Sequence, residues 1–203
     1  LVFGGDFISH RADLPQAEAL FGGLKASRPG FAVLGNHDHW TNPDEVSASL
    51  RRLEFHLLRD EASPWEGFPG LGIYGSDDWA RPRKVLPQAA FPFTILLCHT
   101  PDRFFEAEQK GYKAVFCGHT HGGQIRVPLF GELAIPSRHD RLFASGFYRK
   151  NASCLWVGKG IGGPPYFRRG VKPELLCFTV GGMSPSQHPP QRRPSTELRA
   201  GGG

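Results

Sequence analysis

The chain has 203 residues, of which 39% are hydrophobic and 21% are charged, an ordinary balance for a folded globular protein. This composition excludes a disordered or collagen-like chain, and no apolar run approaches the ~18 residues that would predict a membrane span. The net charge of +5 is small and scattered along the sequence. We therefore expect no specific nucleic-acid partner, whereas small acidic substrates are compatible with this charge.

The first third of the chain predicts a β-α-β unit followed by a helix. Leu1–Phe3 has the pattern of a buried strand, and apolar residues then recur at helical spacing from Leu14 to Leu24. Phe31–Leu34 predicts the second strand, and the segment 35–38 is expected to be the loop that leaves it. Cap and first-turn signals predict the next helix over Pro43–Leu53. Because the chain opens inside a strand without an initiator Met, we interpret it as truncated at its N-terminus.

The remaining apolar runs predict more strands and one more helix. Strands are expected at Phe55–Leu58, Leu71–Gly75, Phe93–Cys98 and Ala114–Cys117, with a helix that starts after Thr100-Pro101. From Gln124 onward the pattern predicts a second, more antiparallel sheet with strands at Gln124–Val127, Leu133–Ile135, Leu142–Tyr148, Ala152–Val157 and Leu175–Val180. We expect one domain over residues 1–180 and a disordered tail, rich in Gly, Pro and Ser, over residues 181–203. The four cysteines lie in apolar runs without a Cys-x-x-Cys pair, which predicts buried, reduced thiols.

Polar side chains follow several of these strands at the point where each strand ends. The residues in question are Asp6, Asn36, His37, Asp38, His99, His119 and His121. A single histidine at a strand end is more often structural, but carboxyl ends of strands are where α/β sheets collect ligands. A mixed set of carboxylate, amide and imidazole ligands suits Zn, Mn or Fe better than Ca. The pattern predicts a metal site.

Four motifs in this order resemble the calcineurin-like metallophosphoesterase family: Gly5-Asp6, Gly35-Asn36-His37-Asp38, the isolated His99, and Gly118-His119-Thr120-His121. The stretch Gly118–Ile125 is similar to the bacterial branch of small, often membrane-associated phosphoesterases. The resemblance covers about residues 1–180 and implies an α/β (α+β) fold, a four-layer αββα sandwich of two mixed β-sheets flanked by helices. It also implies a dinuclear centre of two divalent metal ions, such as Mn, Fe or Zn.

The resemblance also implies a role for each motif residue. Asp6 is expected to bridge the two metals. One metal would take Asn36, His99 and His119 as further ligands, and the other would take His121. His37 would contact the phosphoryl group and protonate the leaving oxygen, with Asp38 orienting its ring.

One block of the family's pattern has no counterpart in this chain. The family's first Asp-x-His, which supplies two more ligands to the second metal, is expected upstream of Leu1, together with any membrane anchor. His10 and His39 lack the family's spacing, so we interpret both as solvated or as neighbours of the ligands. The branch implies a bacterial protein that is cytoplasmic or membrane-associated.

Further side chains are candidates for contact with the substrate. Arg168 follows the Gly-rich segment 158–165 and is a candidate phosphate contact, although arginines before a strand are commonly just exposed. Trp40, Trp79 and Phe167 are candidates for an apolar substrate pocket, but core or rim positions fit them better.

The predicted function is a metal-dependent phosphoesterase that hydrolyses a phosphodiester, a phosphomonoester or a pyrophosphate bond of an anionic substrate. A narrower hypothesis, from relatives in the same branch, is a UDP-2,3-diacylglucosamine pyrophosphatase-like activity in lipid A synthesis. The alternative from another class is a non-catalytic, metal-stabilised scaffold that binds a protein partner, against which the retained His37 argues. Nucleic-acid binding through Arg192, Arg193 and Arg199 of the tail is the weakest hypothesis.

Overall fold

The computed structural model describes residues 1–24, 29–127, 131–132, 136–138, 140–163 and 167–178. The predicted strand at Leu133–Ile135 and the predicted tail at 181–203 lie outside the described residues. In the described part of the chain, no helix is both long enough and apolar enough to cross a membrane.

Two sheets form the centre of the protein. The smaller one contains β1 (Val2–Phe3), β2 (Phe31–Ala32) and β3 (His56–Leu57), which lie side by side and run parallel. The larger sheet has six strands in the order β10-β11-β7-β6-β5-β4, namely β4 (Glu61–Pro64), β5 (Leu71–Gly75), β6 (Phe93–Leu97), β7 (Ala114–Cys117), β10 (Gly146–Lys150) and β11 (Ser153–Val157). A separate ribbon pairs β8 (Arg126–Val127) with β9 (Gly131–Glu132).

Helices cover the outer face of each sheet. The chain contains α1 (Leu14–Gly22), α2 (Asn36–Thr41), α3 (Pro43–Arg52) and α4 (Phe104–Gln109). Short 3₁₀ segments occur at Arg11–Asp13, Pro101–Arg103, His121–Gly123 and Asp140–Phe143. Helix α3 begins as its cap signals predict, because the Asn42 side chain accepts a hydrogen bond from the backbone N–H of Glu45 (3.2 Å).

The alternation of side chains along the strands explains the four layers. Phe31 and Val33 face Ile73 and Ile95 in a core between the two sheets. The neighbours of Phe31 and Val33, Ala32 and Leu34, point the other way and pack with Val46 and Leu50 of α3. On the far side, a third cluster packs Leu96, Val115 and Leu155 of the large sheet with Phe104 of α4. The expected αββα sandwich is confirmed.

Four predictions about local structure were wrong. The predicted strand Leu142–Tyr148 is a strand only from Gly146, because its first two residues end the 3₁₀ segment Asp140–Phe143. Residues 36–38 begin helix α2 rather than a loop, because Asp38 accepts a hydrogen bond from the Gly35 backbone N–H (2.8 Å) and caps the first turn. The C-terminal strands do not form one second sheet, because β11 pairs in parallel with β7 and extends the six-stranded sheet together with β10, while β8 pairs only with β9. Residues 175–178 of the predicted last strand are not a strand, although the ring of Phe178 packs on Phe116 (4.6 Å between centroids).

Candidate metal centre

The loops that carry the predicted ligands come from both sheets. Asp6 follows β1 and Asn36 follows β2, while His99 and His119 each lie two residues beyond β6 and β7. Because β1 runs parallel to β2, and β6 to β7, all four loops leave the carboxyl ends of their strands. The site therefore joins the two sheets at one edge of the sandwich.

The side chains of Asp6, Asn36, His99 and His119 meet around one atom, the Nε2 of His99. The Oδ2 of Asp6 lies 3.2 Å from it, the Oδ1 of Asn36 lies 3.1 Å from it, and the Nδ1 of His119 also lies 3.1 Å from it. Ligand atoms of Asp6, His99 and His119 all lie within 4.8 Å of one another. The structure thus brings together the carboxylate, the amide and two of the imidazoles that the sequence singled out.

The hydrogen bonding of His99 tests whether these residues fit a cation. Its Nδ1 lies 2.7 Å from the carbonyl oxygen of Gly4, to which it donates, so in the neutral ring the Nε2 carries a lone pair. That lone pair faces the Oδ2 of Asp6, the Oδ1 of Asn36 and the Nδ1 of His119. A single proton can form a hydrogen bond between the Nε2 and only one of these three atoms. A divalent cation accepts all four atoms as ligands, so the donor set fits a metal.

Close packing of two glycines keeps these loops together. A Cβ on Gly35 would lie 2.1 Å from the Oδ1 of Asp6 and 2.4 Å from the Asp6 backbone nitrogen. A Cβ on Gly5, whose φ is +93°, would lie 2.6 Å from the Nδ1 of His99. Asp6 itself has a φ of +57°, a strained backbone conformation for a residue other than glycine. The loops can approach this closely only because these glycines lack side chains.

Burial and neighbouring charges set the pKa values in the cluster. Although burial opposes the shift, His99 lowers the pKa of Asp6 to about 2. Burial, and then the charge of His99, lowers the pKa of His119 to about 4. The pKa of His99 is raised, because its attraction to Asp6 outweighs the effect of burial. Asp6 is therefore ionised and His119 neutral at neutral pH, which are the forms that bind metal, whereas a metal has to displace a proton from His99.

His37 lies at the rim of the cluster, and Asp38 lies below the cluster. The backbone N–H of His37 donates to the Oδ1 of Asp6 (3.0 Å), and its half-buried ring packs against that of Trp40 (5.0 Å between centroids). The carboxylate of Asp38, which is fully buried, accepts hydrogen bonds from the backbone N–H groups of Ile8 and Gly35. These bonds differ from the expected contact with the His37 ring, because they anchor the backbone of both loops.

His121 lies apart from the cluster on a loop of positive φ angles. It is outside the group of ligand atoms that lie within 4.8 Å of one another, and its φ is +50°. The guanidinium of Arg168 donates to the Nδ1 of His121 (3.3 Å) and to the carbonyl oxygens of Lys159 and Gly162 (both 2.9 Å). Burial, followed by the charge of Arg168, lowers the pKa of His121. Arg168 therefore orders the loop beside His121, and its predicted contact with a substrate phosphate stays a prediction.

The remaining histidines and aromatic residues also have defined surroundings. His39 donates to the buried Asp77 (2.6 Å), and His10 is exposed beside Asp13, so neither joins the cluster. Trp40 and Phe167 are exposed, whereas the Trp79 ring packs against those of His99 and His119.

Sequence analysis missed Asp78, which holds the His99 loop in place. Its Oδ2 accepts hydrogen bonds from the backbone N–H groups of His99 (3.1 Å) and Thr100 (3.2 Å). Its Oδ1 accepts from Ser76 Oγ and from the Nε of Arg103, both at 2.9 Å. Asp78 and Arg103 are 6% and 1% exposed, so this is a buried ion pair. Two consecutive aspartates after the apolar strand β5 were the available signal.

A two-sheet α/β sandwich with a carboxylate, amide and imidazole cluster at the strand ends defines a class of metal-dependent hydrolase. The chain belongs to the calcineurin-like phosphoesterase family, whose model matches residues 1–123. It is therefore a hydrolase of phosphoric esters in a family that uses divalent metals, and this favours an enzyme over the scaffold hypothesis.

The curated relatives are bacterial proteins. The chain is 27% identical to the phosphodiesterase YaeI of Escherichia coli and 28% identical to the uncharacterized metallophosphoesterase YkuE of Bacillus subtilis. Both matches cover 89% of this chain, and they span 69% and 67% of the respective relative. The UDP-2,3-diacylglucosamine pyrophosphatase LpxG of Chlamydia trachomatis is 27% identical over 68% of this chain, which spans 44% of that protein. No solved structure matches the chain significantly.

Proposed function

We propose that this protein is a phosphodiesterase whose metal centre is held by Asp6, Asn36, His99 and His119. The observation that carries the proposal is the convergence of three ligand atoms within 3.2 Å of the Nε2 of His99. A divalent metal bound there neutralises charge on a phosphoester and lowers the pKa of a water molecule. Asp6 is the one carboxylate among these four ligands, so the loaded centre keeps a positive charge that favours an anionic substrate.

His37 is the proposed proton donor to the leaving oxygen. Its backbone is fixed to Asp6 by the hydrogen bond from its N–H, while its half-buried ring lies beside the exposed Trp40. This arrangement places an imidazole next to the metal ligands without making it a member of their cluster. Asp38 supports it by holding the backbone of Gly35 and Ile8.

The dinuclear form of the centre is part of the proposal. His121 and the second oxygen of Asp6 would hold the second ion, with Mn, Fe or Zn as candidates for both ions.

A phosphodiester is the proposed substrate, in line with the name of the relative YaeI. The named activity of LpxG supports a narrower alternative, a nucleotide-sugar lipid pyrophosphatase of the lipid A pathway. Both reactions break a P–O bond of an anionic substrate, an ester bond in the first and a phosphoanhydride bond in the second, so the same metal ligands serve either one.

Two substitutions separate the proposed roles. In His119→Ala, calorimetric titration of EDTA-treated protein with Mn²⁺ should show loss of binding, and hydrolysis of bis(p-nitrophenyl) phosphate should be lost with it. His37→Ala should retain Mn²⁺ binding but lower turnover by ~10²–10⁴, the usual effect of removing a positioned proton donor. The defect should be larger for an alkyl than for an aryl leaving group, because an aryl oxygen needs less protonation.

Two results would contradict these assignments. If His37→Ala also abolishes Mn²⁺ binding, or harms both kinds of substrate equally, His37 does not act as the proton donor. If His119→Ala binds Mn²⁺ as the wild type does, the cluster around His99 is not the metal centre.

A further inference from the structure

A cavity of about 360 Å³ lies beside the predicted metal centre, and three of the seven residues that line it are arginines. Arg81, Arg83 and Arg138 all line it. A concave surface with three guanidinium groups concentrates positive potential in a place where a small anion can be surrounded.

The two carboxylates in the cavity wall are engaged by other groups. Asp78 takes its four hydrogen bonds from Ser76, His99, Thr100 and Arg103. The Oδ1 of Asp102 accepts from Ser137 Oγ (2.7 Å) and from the backbone N–H of Arg138 (3.0 Å). These carboxylates therefore hold the loops of the cavity. The guanidinium of Arg81 donates to the carbonyl oxygens of Ala80 (2.9 Å) and Asp78 (3.4 Å), so Arg83 and Arg138 are the cations that remain for a ligand.

Arg83 is the strongest indication that an anion belongs there. Its Nε is buried and has no hydrogen-bond partner among the described residues, although a buried donor is normally paired. Burial, followed by the like charge of Arg103, lowers the pKa of Arg83, and Arg138 contributes in the same direction. Arg83 also lines the cavity, so an oxyanion there would pair with the accessible part of its guanidinium and would relieve the repulsion among these arginines.

Trp79 connects the cavity to the predicted metal centre. It lines the cavity, and its ring lies 5.5 Å from the ring of His99 and 5.3 Å from that of His119 (centroid to centroid). Thr100, which follows His99 directly, lines the same cavity. A single indole ring therefore separates the cavity from the cluster.

We propose that this cavity binds a second phosphate group of the substrate, distinct from the phosphoester that is hydrolysed. The identity of the molecule that carries this phosphate rests on the proposed function. The binding of phosphate to the cavity does not depend on it. It narrows the substrate class to phosphoesters with a further phosphate near the scissile bond, such as nucleoside diphosphate derivatives.

Binding of inorganic phosphate to the full chain in EDTA tests the site without metal or turnover. By isothermal titration at low salt, the wild-type protein should bind phosphate, and Arg83→Gln should weaken this binding by about tenfold or more, because charge-assisted hydrogen bonds are lost. Arg138→Gln, which removes another guanidinium group from the cavity wall, should also weaken phosphate binding. The control Arg149→Gln removes the same charge from an exposed residue of β10 and should have no effect.

Three outcomes would overturn the proposal: no phosphate binding by the wild type, equal binding by all variants, or an equal loss in Arg149→Gln. Arg83→Lys keeps the positive charge and serves as a control for misfolding. It should retain more phosphate binding than Arg83→Gln.

A kinetic comparison separates this proposal from the proposed function. For the Mn²⁺-loaded protein, Arg83→Gln should raise KM for a nucleoside diphosphate sugar about tenfold and leave KM for bis(p-nitrophenyl) phosphate unchanged. Equal effects on both substrates would contradict the second phosphate site. If neither substrate is hydrolysed while phosphate binding still depends on Arg83, the proposed function fails and the anion site stands.

Discussion

Substitution of Asp78 by alanine should destabilise the protein severely, because it removes four hydrogen bonds at once. The buried Arg103 would lose one of its two carboxylate partners and keep Glu106 (2.8 Å), and the backbone N–H groups of His99 and Thr100 would lose their acceptor. Breaking a buried ion pair by removing one partner costs about 3–5 kcal/mol. Since a domain has only about 5–15 kcal/mol of net stability, Asp78→Ala should leave a marginally stable protein.

Urea unfolding followed by far-ultraviolet circular dichroism measures this loss. Glu45→Ala is the matched control, because Glu45 pairs with Arg11 (2.8 Å) at the surface, where removing an ion pair costs at most about 1 kcal/mol. The milder Asp78→Asn keeps the shape of the side chain but turns an N–H₂ toward donors, so it should fall between the two. If Asp78→Ala costs no more than Glu45→Ala, the hydrogen bonds do not anchor the His99 loop.

Three further predictions follow from packing, charge and exposure. Gly35→Ala should abolish Mn²⁺ binding in a calorimetric titration, because its Cβ would lie 2.1 Å from the Oδ1 of Asp6; Gly4→Ala, whose Cβ would meet nothing within 4 Å, should retain binding. The pKa of Asp77 is lowered, because His39 and Arg59 outweigh burial. Its charge therefore stabilises the fold above its ordinary pKa, and this contribution is lost as the pH falls below about 4. The free energy of unfolding should thus drop more steeply with acid in the wild type than in Asp77→Asn; parallel curves would refute this. Of the four cysteines, Cys177 alone is exposed, so a thiol reagent should label it first in the native protein, and equally rapid labelling of all four would contradict the structure.

The anchoring of His99 shows that the cluster depends on groups well outside the ligands. Gly4 fixes the Nδ1 of its ring, and Asp78 fixes its backbone N–H. Metal-binding histidines generally have their second nitrogen held in this way, because the bond sets the tautomer and the direction of the ring. Variants at Asp78 should accordingly weaken Mn²⁺ binding even where the protein stays folded.

Much of the fold was predictable from the sequence because local patterns carried it. The apolar runs at Leu71–Gly75 and Ala114–Cys117 coincide with β5 and β7, and the cap signals before Pro43 coincide with the start of α3. The motif order also indicated the family, since each motif contains a residue type suited to one chemical role. Such signals lie within a few residues of one another, so a sequence displays them directly.

Tertiary structure alone decided how distant segments meet. The position of β11 beside β7 depends on pairing across about forty residues, which no local pattern specifies. Asp78 and Arg83 belong to no motif of the sequence, yet folding brings Asp78 beneath His99 and places Arg83 in the wall of a cavity that three arginines line. Residue type and spacing thus determined which side chains can bind metal. Burial and distance, which only the packed chain has, determined which of them converge and which charges are left to bind a ligand.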